Sequence, residues 1–436
     1  MERLQGKNLL LVGFTLFSMF FGAGNLIFPP FLGAQAGTAT WPAMIGFAIT
    51  AIGFPVLGVI EVARSGGLGH LAGRVHPKFA AVFTLLIYLS IGPGLAIPRT
   101  ASTSFEMVAP FLGGGQWMQA AYSLVFFALS ALVALRPEKL TDRLGKLLCP
   151  TLILLILVLF FGCIFRPVTD HYDVPTGDYT ALPVITGFLG GYQTMDTIAA
   201  LNFGAVIALN IRALGVTEDR EVVRGTVRAG WIAGGLLLAI YAMLAHVGAL
   251  SGAAFPGGET GADTLTNIVS ALFGSPGAVL LAAIFMIACF NTCTGLLSCC
   301  SEYFHRLLPR FSYRAWVVFF ALVSMLISNV GLAGILKLSV PVLNAIYPAA
   351  LVLILLAMAG EGLHRFRLVY PVTLTFVCIV SVIDALRQAK VVLPGLTALV
   401  QAIPLAKQGL SWVLPAIAGV LLGLLLSLLL PKGRRA

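Results

Sequence analysis

Charge is what this 436-residue sequence has least of. Only 10% of its residues are Asp, Glu, Lys or Arg, where a soluble globular chain carries about a quarter. Between Lys7 and Glu61 there is none at all. No sizeable soluble domain can be cut from such a chain, which argues against a soluble enzyme and against a receptor with a large output domain. Cysteine is scarce too. The seven present are an odd number, and Cys149, Cys163, Cys289, Cys293 and Cys378 lie inside apolar runs, which argues against a disulfide framework. Cys289 and Cys293 could share a helix face, but no His or carboxylate nearby completes a thiolate metal site. The six histidines fall mostly in loops, with His246 at a helix end. No Ser-His-Asp, zinc or nucleotide motif stands within the apolar runs, so membrane-enzyme chemistry has no residues to work with. No ring of charge and no repeated filter loop points to a channel.

Apolar residues make up 59% of the chain, and the mean hydropathy is +0.98. Segments long enough and free enough of charge to cross a bilayer are predicted at roughly 8–37, 41–63, 79–98, 116–135, 147–165, 182–210, 226–250, 276–300, 315–330, 338–359, 368–386 and 410–430. That makes an all-α, polytopic membrane protein with about twelve transmembrane helices in a single transporter-like domain, 1–436, embedded in lipid. The first apolar run reads as a span and not as a cleavable signal, because more spans follow it.

The net charge of +10 is concentrated in short loops between these runs, so it reads as a topology determinant and not as a nucleic-acid surface. With the N-terminus in the cytoplasm, 21 of the 27 Lys and Arg residues fall on the inner side. Arg3 and Lys7, Lys139 and Arg143, and Lys432, Arg434 and Arg435 are among them. This asymmetry predicts a multi-pass protein of the inner (plasma) membrane with both termini cytoplasmic and an even number of spans.

Within the first apolar run stands FFGAGNLIFPP at 20–30. Gly22, Gly24 and Asn25 occupy positions where a simple spanning helix carries Leu or Val, and Pro29 and Pro30 have no N–H to donate. A helix opened here bares main-chain N–H and C=O groups at membrane depth, which is tolerated only where they line a cavity or are buried in protein. The sixth run repeats the oddity, with Gly187, Gly190 and Gly191 followed by Tyr192, Gln193, Thr194 and Asp196. Two interrupted segments in matching positions of two five-span halves point to a transport site at the interface of an inverted repeat. The halves are then 8–165 and 182–359, with 368–430 outside them.

The helix after the first break would start near Gly24, its positive end facing the gap, and free N–H groups there suit a carboxylate. The helix before it would end near Ser18–Phe21, where freed carbonyls suit a cation or an ammonium. The second break offers the same pair of ends together with Tyr192, Gln193 and Thr194. Two such breaks match a zwitterion, and a free amino acid is the simplest one. In the eighth run, Ala288, Asn291 and Thr292 supply one carbonyl and two side-chain oxygens on neighbouring helix positions. With the carbonyls of Ser18 and Phe21 they would form an all-oxygen site for a small cation. Asp196 is the carboxylate most clearly inside the membrane; it either caps the second half of span six or carries a proton, and the cap is favoured because a break leaves orphan donors. Asp384, outside the repeat, reads as structural. Arg99 could pair with Glu106 or with Asp196. The run from Ile91 to Pro98 holds two prolines that disturb the helix ladder, either as a packing kink or as a cavity wall.

Four stretches carry a resemblance: GFTLFSMFFGAGNLIFPPFLGAQAG at 13–37, YLSIGPGLAIPRTASTSFE at 88–106, GYQTMDTIAALNFG at 191–204 and ACFNTCTGLLSCCSEYF at 288–304. In order and spacing over nearly the whole chain, they resemble the bacterial branched-chain amino acid:cation symporter family (LIVCS, BrnQ-like). The resemblance implies a LeuT-type fold of twelve helices with a five-plus-five inverted repeat, discontinuous first and sixth helices, and alternating access. It implies uptake of leucine, isoleucine and valine with Na+, or with H+ in some members. It also implies that the substrate carboxylate meets amides around Ala23 and Gly24, that the ammonium faces carbonyls near Phe20 and Gly190, and that sodium is held by Ser18, Phe21, Ala288, Asn291 and Thr292. Asn25, Gly191, Tyr192 and Thr194 complete the expected substrate site. The family commonly has Thr where this chain has Asn291; an amide oxygen can still ligate sodium, but the amide also brings donors that cannot.

The sequence therefore reads as a secondary active transporter, not an enzyme, that imports a small aliphatic amino acid with a cation. Phe20, Phe21, Ile91 and Leu95 are the expected apolar wall. No obligate protein partner and no nucleic acid is evident. A channel or an amino-acid sensor is the rival reading.

Overall fold

The computed structural model describes residues 4–136, 146–258, 260–391 and 393–429. Of the inward-facing cations on which the orientation was read, Arg3, Lys139, Arg143, Lys432, Arg434 and Arg435 lie outside these residues. Helices are the regular secondary structure of the described residues. Its helices are α1 (Gly6–Phe20), α2 (Ala23–Ala36), α3 (Thr40–Ala48), α4 (Phe54–Ser65), α5 (Leu68–Gly73), α6 (Pro77–Leu89), α7 (Ala96–Leu112), α8 (Gln116–Ala134), α9 (Cys149–Phe165) and α10 (Pro183–Gly190). They continue with α11 (Asp196–Ala213), α12 (Asp219–Ala254), α13 (Gly261–Phe273), α14 (Ser275–Leu307), α15 (Tyr313–Ser328), α16 (Leu332–Met358), α17 (Glu361–His364), α18 (Val369–Gln388), α19 (Leu396–Ala402) and α20 (Val413–Leu429).

Among the described residues, eight helical stretches are long and apolar enough to cross a membrane, and a ninth is the pair α10–α11, bent by 46° at a short break. Gly6–Phe20, Tyr313–Ser328 and Val413–Leu429 are shorter apolar helices. Each predicted segment thus coincides with a helix or with a pair of helices. Two of the pairs are linked through π turns, Ile49–Gly53 directly between α3 and α4 and Ser90–Gly94, followed by the non-helical Leu95, between α6 and α7. The second π turn holds Pro93, and Gly92 there leaves the helical region (φ −82°, ψ −130°), so the Pro-rich third run is opened and not merely kinked.

The chain divides into two compact units. One comprises 1–60 and 88–336, the other 61–87 and 337–436. In the larger unit, helices approach through glycines. A Cβ on Gly46 would lie 1.9 Å from the Val184 carbonyl oxygen, and one on Gly187 would lie 1.9 Å from that of Ala43, so α3 and α10 meet backbone to backbone from both sides. Gly33 and Gly248 do the same between α2 and α12, against the carbonyls of Ala245 and Pro30. In lipid, where apolar surface alone gives no reason for two helices to associate, such close approach supplies the van der Waals contact that holds them. The helix α13 is absent from the sequence reading. Its signal is a capping box: Thr260 Oγ1 accepts from the Asp263 N–H (3.1 Å) and Asp263 Oδ2 accepts from the Thr260 N–H (3.0 Å). Gly261 then lets the start of α13 lie against the Ile27 carbonyl of α2.

In the smaller unit, α18 packs along α20, with Gly419 against Thr373 and Gly423 against Val369. Val380, Ile383 and Val400 form a small buried cluster there, with Ile403 against it. Asp384 accepts from Arg387 (2.9 Å) and from Gln388 (3.4 Å) on its own helix, in keeping with its structural reading.

Candidate functional site: two broken helices and the side chains between them

The first break is two residues long. Phe21 (φ −73°, ψ 88°) and Gly22 (φ −127°, ψ −154°) separate α1 from α2. The Phe21 N–H still reaches the Phe17 carbonyl (2.8 Å), and the Leu26 N–H starts the next ladder on Gly22 (3.2 Å). The Gly22 N–H, which an unbroken helix would give to Ser18, goes instead to Asn25 Oδ1 (3.2 Å). Carbonyls at the end of α1 are thereby released, and the first amides of α2, at Ala23 and Gly24, are left without intrahelical partners. Gly22 is required by proximity: a Cβ there would sit 2.5 Å from Thr292 Oγ1 on α14.

At the second break, a single 3₁₀ turn, Gly191–Thr194, follows α10, and Met195 adopts a left-handed conformation (φ 68°) before α11 begins. A non-glycine residue there costs roughly 1–2 kcal/mol of backbone strain. Thr194 closes the turn with its own side chain, donating to the Gly191 carbonyl (2.9 Å) and accepting from the Asp196 N–H (3.4 Å). The N-cap of α11 is Met195, with no side-chain cap. The favoured reading of Asp196 as a helix cap is therefore not what its carboxylate does.

The two breaks meet. A Cβ on Gly24 would lie 3.1 Å from Thr194 Cα and 3.3 Å from the Gln193 carbonyl oxygen. The third group crowding Gly24 is the Arg99 guanidinium, whose Nη2 would be 2.9 Å away. Arg99 is 4% exposed; Nη1 donates to the Gln193 carbonyl (2.9 Å) and Nη2 to that of Thr194 (3.4 Å), and its Cζ stands 6.0 Å from the Phe28 ring centre. The sequence offered Glu106 and Asp196 as partners for this residue; the carbonyls of the second break were not among the candidates.

Asp196 reaches across to the first break. Its Oδ2 accepts from Asn25 Nδ2 (2.6 Å) and from the Tyr241 hydroxyl (3.0 Å), and Asn25 Nδ2 also meets that hydroxyl. Residues 25, 196 and 241 thus join α2, α11 and α12 through one buried polar knot. Tyr241 is fully buried and went unnoticed in the sequence, although a tyrosine in the middle of an apolar span is a signal. Burying such groups is costly unless they satisfy one another, and here they do.

The residues expected as the apolar wall are buried: Phe20 packs edge-on against Phe203 (5.1 Å), Phe21 stacks on Phe17 (5.2 Å), and Ile91 and Leu95 are covered. A Cβ on Gly190 would have Phe47 and Tyr179 as its nearest neighbours, both at 3.8 Å, and a Cβ on Gly191 would strike Thr50. Thr50, donating to the Phe188 carbonyl (2.7 Å), is the residue that seats this half-helix on the second span. Tyr179 lies in the loop before α10, and burial holds its phenol well above the usual range, so it stays neutral. Tyr192 is buried against Phe188 (5.6 Å).

Of the expected cation ligands, Ser18 on α1 and Asn291 on α14 come within reach of each other, and Thr292 lies against the end of α1. Thr292 Oγ1 donates to the Met19 carbonyl (3.1 Å), and Asn291 Nδ2 stands 3.5 Å from Ser18 Oγ. Asn291 Oδ1 is buried with no hydrogen-bond partner among the described residues. Together with the carbonyls of Ser18, Phe21 and Ala288, this orphaned amide oxygen would make a hard oxygen donor set. It fits a small alkali cation.

Known proteins resemble this chain in sequence and in fold. Residues 5–430 match the family model described as branched-chain amino acid transport protein. The chain is 40% identical over 438 residues to the branched-chain amino acid permease BraB of Bacillus subtilis, covering 99% of this chain and 98% of that one. It is 40% identical over 439 residues to the branched-chain amino acid transport system 2 carrier protein of Pseudomonas aeruginosa, covering both chains fully. Against BrnQ of Escherichia coli K12 the figures are 37% over 428 residues, 97% and 96%. Among solved structures the fold is similar to a Na+-coupled sialic acid symporter in a substrate-bound outward-open state (TM-score 0.64, 12% identity, 98% of this chain and 91% of that one). It is also similar to Mhp1, a nucleobase-cation-symport-1 family transporter, in a closed conformation (TM-score 0.61, 12% identity, 95% and 91%). The expectation of an all-helical, LeuT-type membrane transporter that is not an enzyme is thereby met, and the chain belongs to the family of branched-chain amino acid transport proteins.

Proposed function

We propose that this protein is a symporter that brings leucine, isoleucine and valine into the cell together with Na+ by alternating access. The observation that carries the reading is the meeting of two helix breaks at Gly24 and Thr194, with the freed main chain of α1 and α2 beside the oxygen set of α14. In this reading the substrate carboxylate sits on the amides of Ala23 and Gly24, where the helix dipole favours a negative group. The ammonium faces the released carbonyls at the end of α1, near Phe20. Phe20, Phe21, Ile91 and Leu95 enclose the aliphatic side chain. Sodium, as cotransported substrate, takes Ser18, Phe21, Ala288, Asn291 and Thr292 as ligands. Residues 8–165 and 182–359 are the two inverted repeats, with 368–430 outside them and both termini in the cytoplasm. The similarity to BraB, a branched-chain amino acid permease, and to the branched-chain amino acid transport system 2 carrier supports the substrate class.

Uptake of labelled leucine into proteoliposomes is the test. An inward sodium gradient should drive accumulation, and collapsing it should abolish accumulation while a pH gradient alone does little. Accumulation that follows pH and ignores sodium would support the second reading, proton coupling of the same amino acids. That reading is favoured by one observation, the buried Asp196 carboxylate held by Asn25 and Tyr241 beside the first break.

A further inference from the structure

We infer that Asp196 is a positioning residue for the amino-acid and cation site: as an acceptor it fixes which way the Asn25 amide faces, and through Asn25 it keeps the first break open. This rests on the site read above. It gives Asp196 a role there other than helix cap or proton carrier, with Tyr241 of α12 as its support.

An asparagine amide has one accepting end and one donating end, and turning it over exchanges the two. At Asn25 both ends are in use. Oδ1 accepts the Gly22 N–H (3.2 Å), while Nδ2 donates to Asp196 Oδ2 (2.6 Å) and meets the Tyr241 hydroxyl. Turned over, the amide would set its own donors against the Gly22 N–H and its oxygen against the carboxylate oxygen. The orientation that serves Gly22 is therefore the one that Asp196 selects. Asn25 and Asp196 are buried and Tyr241 fully so, which keeps water from standing in for a lost partner. The acceptor itself is fixed in place. Asp196 opens α11 directly after the left-handed Met195, and the Tyr241 hydroxyl donates to the same Oδ2 (3.0 Å) from α12.

What the orientation controls is the end of α1. In an unbroken helix the Gly22 N–H would bond the Ser18 carbonyl. With Asn25 Oδ1 holding that N–H, α1 ends at Phe20 and Gly22 takes an extended backbone (φ −127°, ψ −154°). The Ser18 carbonyl is one of the proposed sodium ligands. The amides of Ala23 and Gly24, which follow the break, are the proposed seat of the substrate carboxylate. An amide at residue 25 that turned freely would let the Gly22 N–H fall back on Ser18, and the closing helix would withdraw both. Asp196 need touch neither sodium nor substrate for this; it acts through Asn25. The first break is thereby made conditional on the second, because Asn25 finds its acceptor only when the start of α11 lies beside α2.

The test is a double-mutant cycle on the purified full-length protein, with leucine binding titrated against sodium. Asn25→Ala removes the acceptor for Gly22, and Asp196→Leu removes the acceptor for Asn25. Each should raise the sodium concentration for half-maximal binding about tenfold, the scale of one buried hydrogen bond. Since Asp196 works through Asn25, the double variant should match Asn25→Ala within about threefold. Losses that multiply to about a hundredfold would overturn the inference, because an independent route persists without Asn25. One such route runs through Arg99, whose charge also acts on the Asp196 carboxylate. Asp196→Leu with a lower melting temperature and an unchanged sodium titration would equally overturn it, as the mark of a purely scaffolding role. Uptake lost in Asp196→Leu with binding and its sodium titration intact would overturn it in favour of a proton carrier. If Asp196→Leu does not fold, Tyr241→Phe decides. It should raise the half-saturating sodium about threefold in the wild-type background and leave it unchanged in Asn25→Ala; an equal effect in both backgrounds, or none in either, overturns the inference. A wild-type protein that binds no leucine at any sodium concentration would sink the amino-acid reading itself, and this role with it.

Discussion

At the scale of single residues, the site is built from side chains that are small where main chain must approach and polar where main chain has been released. Gly22 makes room for Thr292 and Gly24 for Arg99. Asn25 does two jobs at once: its carbonyl oxygen takes the N–H that the break sets free, and its amide binds Asp196. Asn291 stands apart because its oxygen is buried and unsatisfied among the described residues, a cost of about 1–3 kcal/mol that a bound cation would remove. Asn291→Ala should leave the fold intact. It should also raise the sodium concentration for half-maximal leucine uptake by about tenfold, equivalent to about 1.4 kcal/mol. A sodium titration of uptake checks this, and an unchanged half-saturation would remove Asn291 from the ion site. Asn291→Thr, which restores the residue common in the family, should keep the sodium response.

At the scale of elements, the interrupted sixth span is anchored through its first half. The α10 half rests on α3 through Gly187 and Gly46, each against a carbonyl oxygen of the other helix, and Thr50 pins its last turn. This backbone contact places the 3₁₀ turn of Gly191–Thr194 where Gly24 can meet it. Gly187→Val forces extra atoms into the contact, and overpacking of this kind costs about 1–3 kcal/mol. The expected result is a lower melting temperature in detergent and weaker leucine binding together. Combining it with Gly46→Val should give less than the sum, because both act on one interface. A Gly187→Val protein with wild-type melting and wild-type affinity would show that the seat of α10 does not position the break.

At the scale of the whole molecule, the alternatives are a carrier and a passive pore. In the proposed site, an apolar wall of Phe20, Phe21, Ile91 and Leu95 would separate substrates only weakly, since one methylene in such a pocket is worth about 1–3 kcal/mol. Leucine, isoleucine and valine should therefore compete for one uptake route with inhibition constants spread over about 10- to 200-fold at most. Each should also drive counterflow of labelled leucine from preloaded vesicles. Counterflow requires that the site face one side at a time; its absence, with uptake intact, would point to a channel.

Much of this was legible in the chain itself, for a physical reason. Crossing lipid demands long runs without charge, so the spans, including the six whose helices are broken or short, could be read from composition. Opening a helix in lipid demands Gly, Pro or Asn at the opening, so both breaks stood out as local patterns around Gly22–Asn25 and Gly190–Thr194. The helix α13 was missed because it is short and amphipathic, and its signal was a cap and not a run of apolar residues. What only the tertiary structure decided is which distant groups meet: Asn25 with Asp196 and Tyr241, Arg99 with the carbonyls of Gln193 and Thr194, Gly24 with the main chain of Thr194. Such pairings depend on the rotation and depth of helices packed side by side, and no local pattern of apolar residues encodes either.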